Sequence, residues 1–255
     1  MRTVILVHGF WHGTWCWSPV TARLAAQGVP SVAVDLDGHG LRASIPAGTI
    51  TASSAAASLV EDIRLVGGGE PCVVVAHSMA GAVATAAAEQ APELFGHLVY
   101  VTAFAPVAAP VVEYFAGPEN AGEMVNRLLA PEAFAVNVMR VDPGQRAAIR
   151  ETFYHDVDAG TADAAIGLLT SDAPLGITTE ALPITRERFG AVPHSYVVCT
   201  KDNAVPAALQ QRFVRDIDAV SVAPTGVVEL DTAHSPFLSH PDQLAAAIAA
   251  VTLRS

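Results

Sequence analysis

Ser78 lies in the run Ala76-His77-Ser78-Met79-Ala80, between a Val-rich apolar stretch and an alanine-rich one. A serine hydroxyl there could attack an acyl carbon. The chemistry needs a strand that turns abruptly into a helix, so that the middle side chain projects from the sheet edge. Backbone crowding then demands small residues two positions to either side, usually glycine. Here they are Ala76 and Ala80, the next smallest choice. A serine at a strand–helix junction also serves as a helix N-cap, so the five residues have a purely structural reading too.

The rest of the chain separates the two readings. A serine hydroxyl is a weak nucleophile that needs a general base, and the base needs an orienting acid. Where the nucleophile sits on such a strand–helix turn, these partners follow in the order Ser, Asp or Glu, His, each just after a strand. Asp202 follows the apolar run Tyr196–Cys199 in the turn Thr200-Lys201-Asp202-Asn203, and His234 follows Val227–Leu230 in Asp231-Thr232-Ala233-His234. His39 and His240 compete as bases, but neither follows a strand late in the chain. Asp231 competes as the acid, but lies too few residues before His234 to reach behind its ring. The charge that develops on the carbonyl oxygen needs backbone N–H donors. Met79, after the nucleophile, and Phe10, in the loop His8-Gly9-Phe10, are the expected pair. Gly9 would let that loop approach a substrate, while His8 and His12 are expected to brace it by hydrogen bonds.

The elements that must position these residues are legible as alternating segments. Apolar runs at Thr3–Val7, Ser31–Val34, Cys72–Ala76, Leu98–Val101, Tyr196–Cys199 and Val227–Leu230 lack polar alternation and have the length of strands buried on both faces. Helical spacing marks Trp17–Gln27, Thr51–Val66, Ala82–Ala88, Pro206–Ile217 and Gln243–Val251. This rhythm predicts an α/β fold with a parallel, doubly wound sheet. From 106 to 183 the pattern changes to helices (Glu119–Leu129, Gly144–Tyr154, Thr161–Leu169) with no convincing strand. A helical cap inserted after the fourth strand is expected there, over the strand ends where ligands bind. The core is then 1–105 plus 184–255, one domain overall. Met124, Leu128, Phe134, Met139, Phe153, Tyr154 and Leu168 either line an apolar pocket under the cap or pack the cap itself.

Composition narrows the function. Hydrophobic residues at 51% against 15% charged exclude a disordered chain. A net charge of −11 with only 14 Lys plus Arg argues against nucleic acid or an anionic membrane as partner. It also favours an uncharged substrate over a highly anionic one. The N-terminal apolar run is too short for a secretory signal, and the alanine-rich stretches too short to span a bilayer. The three cysteines (Cys16, Cys72, Cys199) have no metal-ligand spacing and read as reduced thiols of a cytoplasmic protein. No metal, nucleotide or other cofactor motif is present. The expected partner is a small-molecule substrate, and a homodimer would be unsurprising.

The segment from His8 through Trp17 (His8-Gly9-Phe10-Trp11-His12-Gly13-Thr14-Trp15-Cys16-Trp17) resembles the opening signature of the plant methylesterase and hydroxynitrile lyase branch of the α/β-hydrolases. The stretches Arg188-Phe189-Gly190 and Tyr196 through Pro206 are similar to that branch around its acid residue. Asp231-Thr232-Ala233-His234-Ser235-Pro236 matches its histidine segment less closely. The resemblance implies a mostly parallel six-stranded α/β-hydrolase fold without cofactor, with Ser78, Asp202 and His234 as the triad. The lyases resembling this chain carry threonine, glutamate and lysine where it has Gly9, His77 and Ser235; the esterases share Gly9 and His77. With Phe10, these three positions are the expected substrate contacts. The activity so implied is hydrolysis of a small, largely apolar carboxylic ester, with a methyl ester as one form. The alternatives are a lyase, a thioester, amide or carbon–carbon substrate, and a low-turnover ligand receptor.

Overall fold

The computed structural model describes residues 1–142 and 144–253. Pro143 of the expected cap and the last two residues of the expected core lie outside the described residues. In chain order the elements are β1 (Val4–Val7), α1 (Ser18–Ala26), β2 (Ser31–Val34), α2 (Ala52–Gly67), β3 (Cys72–His77), α3 (Ala80–Gln90) and β4 (Phe95–Val101). Next come α4 (Val111–Phe115), β5 (Val138–Arg140), α5 (Arg146–Phe153), α6 (Ala159–Gly167), β6 (Asp172–Pro174) and α7 (Gly176–Thr179). The chain closes with β7 (His194–Cys199), α8 (Ala207–Val220), β8 (Gly226–Leu230), α9 (Pro236–Ser239) and α10 (Pro241–Thr252).

The main sheet has six strands in the order β2-β1-β3-β4-β7-β8, and every neighbouring pair is parallel. Side chains alternate across it with period two. Ile5, Val7, Val74, Ala76, Leu98 and Tyr100 join one core with Leu59 and Ile63 of α2, Val83 and Ala87 of α3, and Phe213 of α8. Val4, Leu6, Val73, Val75, Val99 and Val101 join the other with Val20 and Leu24 of α1 and Leu244 and Ile248 of α10. Burial on both faces is why the central strands read as unbroken apolar runs. The chain steps from β1 outward to β2 and returns on the other side as β3, so the winding reverses between β1 and β3. A crevice opens at the carboxyl ends at such a switch point.

Two local choices bring the elements close enough. Every residue from Ala80 to Ala88 in α3 is buried, and a Cβ on Gly81 would stand 2.2 Å from the Phe104 carbonyl oxygen. The small residues are what let this helix approach β4. Thr51 caps α2 by a reciprocal pair of hydrogen bonds with Ser54, and Gly68 ends it at φ 61°.

Three expectations need correction. The run at β8 is not buried on both faces: Gly226, Val227, Val228 and Glu229 are exposed and Leu230 alone is buried, because β8 is the last strand of the sheet. β2, the other edge, is likewise only partly covered. The inserted segment is not purely helical, since β5 and β6 pair antiparallel and Leu129 bridges to Val141. Strands of three residues are too short to leave a periodic signature. The helix expected at Glu119–Leu129 is two 3₁₀ turns, Pro118–Asn120 and Asn126–Leu128, separated by Gly122 at φ 89°. α5 and α6 do fall where helical spacing places them.

Candidate active site

Ser78 occupies the one-residue gap between β3 and Met79, the residue that opens α3, with φ 54°. The left-handed region is costly for a side-chain-bearing residue. It is held there by bonds on both sides of the turn: the Ser78 N–H donates to Val101 O (3.2 Å), and Ser78 O accepts from Gly81 N and Phe104 N (3.0 Å each). The hydroxyl is thereby aimed off the sheet edge, half-buried rather than sealed.

The strand ends of β3, β7 and β8 converge at this point. His234 Nε2 accepts from the Ser78 hydroxyl at 3.1 Å, and His234 Nδ1 donates to Asp202 Oδ2 at 2.7 Å. The histidine and aspartate side chains are 2% and 0% exposed. A buried carboxylate needs donors for its remaining lone pairs. Asp202 Oδ1 accepts from the backbone N–H of Ala204 (2.6 Å) and Val205 (2.9 Å), and Oδ2 takes a further hydrogen bond from the Thr102 hydroxyl. Asp231 instead bonds exposed Lys201, while His39 and His240 sit away from Ser78. Thr102 carried no signal in the sequence beyond standing one residue past an apolar run.

Phe10 and Met79 are both buried and both line the pocket at Ser78. Among the described residues the backbone N–H of neither has a protein acceptor, and a buried donor without a partner is uncommon. Gly9 packs against the serine so tightly that an added Cβ would lie 2.6 Å from Ser78 Cβ. His8 and His12 brace the loop by hydrogen bonds. His8 Nδ1 donates to Gly9 O (2.8 Å) while its Nε2 accepts from Leu36 N (3.1 Å). His12 Nδ1 donates to Phe10 O (2.8 Å) while its Nε2 accepts from Tyr154 OH (2.7 Å). Burial lowers the His12 pKa to about 3, so the ring is uncharged at neutral pH.

Of the four positions expected to contact substrate, Phe10 alone lines the pocket. Gly9 is shielded by Ser78 itself. His77 is fully buried behind the array, its ring 4.6 Å from that of His234 and its Nε2 donating to His234 O at 2.8 Å; burial holds its pKa well below the usual imidazole range. Ser235 is fully buried, its hydroxyl without a hydrogen-bond partner among the described residues. Strand alternation explains His77: the side chain just before Ser78 points back into the sheet layer.

The pocket, about 480 Å³ including its mouth, is walled by Phe10, Trp11, Phe104, Phe115, Met139 and Phe153, with Asn120, Glu123 and Asn126 as polar lining. Of the candidate cap residues, Met139 and Phe153 line it. Leu128 is buried elsewhere, Tyr154 is bonded to His12, and Phe134 and Leu168 are exposed. Among the described residues no three His, Cys, Asp or Glu side chains could hold a metal ion, and no helix is long and apolar enough to cross a membrane.

A parallel six-stranded sheet with a serine on a strand–helix turn, and a histidine and an aspartate from later strand ends bonded in series behind it, defines the α/β-hydrolase class. The profile of the Alpha/beta hydrolase family matches residues 4–247; the chain belongs to this family. It is 27% identical to Methylesterase 7 of Arabidopsis thaliana, covering 96% of this chain and 94% of that one. It is 25% identical to Methyl jasmonate esterase 1 of Vitis vinifera, with the same coverages. Among solved structures, a pyrethroid hydrolase from Sphingobium faniae JZ-2 superposes with a TM-score of 0.83 at 23% identity, over 98% of this chain and 96% of that one.

Proposed function

We propose that the protein is a serine hydrolase acting on a small, largely apolar carboxylic ester, with a methyl ester as one form. The observation that carries this is the Ser78–His234–Asp202 series of hydrogen bonds opening into an apolar pocket beside two unpaired N–H donors. His234 Nε2 takes the Ser78 proton as Oγ attacks the ester carbonyl; Asp202 stabilises the imidazolium. The Phe10 and Met79 N–H groups bind the oxygen of the tetrahedral intermediate. His234 then gives its proton to the departing alcohol, and a water molecule, activated by the same histidine, releases the acid. Esterase names among the relatives at 25–27% identity support the same reading. The cap above the strand ends (106–183) supplies Phe115, Met139 and Phe153, which suit an apolar or aromatic acyl group.

A hydroxynitrile lyase of the kind sharing this sequence signature needs a threonine hydroxyl at position 9 and a lysine at 235. Ser78 and His77 leave no room here for a side chain at Gly9, and position 235 is a buried serine. Ester hydrolysis is therefore the better reading.

Turnover of a panel of p-nitrophenyl and methyl esters of graded acyl size, with Ser78→Ala alongside, tests it. Activity on a subset, absent from the variant, is the expected result. Equal activity in the variant would remove Ser78 from the chemistry. Slow single turnover with tight retention of one ligand would point to a receptor.

A further inference from the structure

We propose that residues 151–156, where α5 runs out into the loop before α6, form a clamp that holds the three loops of the site in register, with Tyr154 and Asp156 as its positioning residues. The inference rests on the acyl-transfer reading above and concerns what keeps that geometry together.

The loops arise from different strands: 8–12 after β1, Asp202-Asn203 after β7, and Ala233-His234 after β8. The sheet fixes where each begins but not how each lies relative to the others. Six consecutive residues touch all three. The Tyr154 hydroxyl donates to His12 Nε2 at 2.7 Å, and His12 in turn holds the Phe10 carbonyl from its other nitrogen. The Glu151 carbonyl accepts from Asn203 Nδ2 at 2.9 Å, one residue past Asp202. Asp156 Oδ2 accepts from the backbone N–H of Ala233 at 2.8 Å, one residue before His234. Between them the Phe153 ring packs 5.5 Å from the His234 ring and 5.9 Å from the Trp11 indole.

Each hydrogen bond falls on a residue one or two positions from a triad member or an oxyanion donor rather than on the group itself, while the Phe153 ring meets His234 directly. Further polar ties join the inserted segment to the same loops: Trp11 Nε1 donates to Met139 O (3.0 Å), Thr170 N donates to Trp11 O (2.8 Å) and Met124 N donates to Asn203 O (2.8 Å). Asp156 is an expensive way to hold a loop. Its Oδ1 is buried with no hydrogen-bond partner among the described residues, and His240 Nδ1 lies 3.6 Å from Oδ2. A buried carboxylate oxygen left unsatisfied costs stability, so packing alone gives no reason for this residue. Setting the peptide before His234 does.

Kinetics on an ester that the wild-type protein turns over, with proton NMR of the downfield Nδ1–H of His234, tests the clamp. Asp156→Ala and Tyr154→Phe are expected to lower kcat by about tenfold or more, since small misplacements of reacting groups are costly, while KM stays nearly constant. Asp156→Asn keeps an oxygen for the Ala233 N–H and is expected to recover most of the loss. The downfield resonance should weaken in Asp156→Ala and persist in Asp156→Asn. Unchanged kcat in both Asp156→Ala and Tyr154→Phe overturns the proposal, as does a rise in KM alone or an Asp156→Asn protein as impaired as Asp156→Ala. Tyr154→Phe loses only a hydroxyl, so it carries the test if Asp156→Ala does not fold. A wild-type protein inactive on every ester, whose resonance still depends on Asp156, would remove the ester reading and leave the clamp standing.

Discussion

The Thr102 hydroxyl donates to Asp202 Oδ2, the same carboxylate oxygen that accepts the Nδ1 proton of His234. Thr102 immediately follows β4 and adopts φ 39°, an unfavourable conformation for a β-branched residue. Its N–H is anchored to Val197 O at 2.9 Å. The strained turn therefore delivers one hydroxyl to the buried acid. Thr102→Ala leaves one oxygen of a buried charge with a single donor. We expect kcat to fall about tenfold and stability by about 1.5–3 kcal/mol, the usual worth of a hydrogen bond to a charged group. Thr102→Ser should restore most of both. Kinetics and urea denaturation of the pair check this; an Ala variant indistinguishable from wild type would show that the backbone donors of Ala204 and Val205 suffice.

Gly9 is constrained by contact, not by backbone conformation. An alanine there would place its Cβ 2.6 Å from Ser78 Cβ and 3.1 Å from both His77 Nδ1 and His77 O. Something must shift, and the nearest movable part is the turn that carries Ser78. Gly9→Ala is expected to cut kcat by about a hundredfold, the scale set by misplacing a reacting group by about 1 Å, and to cost about 1–3 kcal/mol of overpacking. Gly28 offers the contrasting case, at φ 74° with nothing within 4 Å of an added Cβ. Gly28→Ala should cost stability through strain alone and leave kcat untouched. Equal kcat losses at both positions would mean that global destabilisation, not crowding of Ser78, is being read.

The proposed triad residues are legible because each stands at a strand's carboxyl end, and those strands are apolar runs in the sequence, even at β8, where only Leu230 is buried. Ser78, Asp202 and His234 inherit their positions from β3, β7 and β8. Tyr154 and Asp156 do not have that advantage. Thr102 follows a strand too, but nothing in its type distinguishes a hydroxyl aimed at a carboxylate from one aimed at solvent. Tyr154 and Asp156 reach the core from an inserted segment whose path depends on three-residue strands and isolated 3₁₀ turns, below the length at which periodicity speaks. His77 is expected as a substrate contact because it is one of the positions that separate the lyases from the esterases of the resembling branch; strand alternation instead turns its side chain away from the pocket, toward His234 O.

The three thiols offer a simple test of how tightly the core is closed. Cys16, Cys72 and Cys199 are free and buried, and burial raises the pKa of each. Thiolate is the reactive form, so Ellman's reagent at pH 8 should find almost none in the native protein and all three in denaturant. Iodoacetamide should likewise leave ester turnover intact. Rapid labelling of one cysteine in the native state would reveal a local opening, and Cys72, at the amino end of β3, is the position where that would matter least to Ser78.

Acid should unfold this protein earlier than its carboxylates require. Burial lowers the pKa values of His12, His39 and His194 to about 3, and that of His97 to about 4, from an ordinary value of 6.5. The folded chain keeps these rings neutral, whereas the unfolded chain binds protons on them as pH falls through 6.5. The unfolded state then holds more protons, so stability is fully present above 6.5 and drains away toward pH 3 to 4. At pH 5 the loss is at most about 2 kcal/mol for each such histidine. Carboxylates held low, such as Asp163 and Asp172 with their arginine partners, contribute with the same sign only below about pH 4. The interval from pH 6.5 to 4.5 therefore isolates the histidines. Urea midpoints should drop steadily across it, and His194→Gln should flatten the slope by close to one proton. A midpoint constant from pH 8 to 5 would mean that these buried rings take up protons in the folded state, and that the neutral brace assigned to His12 is wrong.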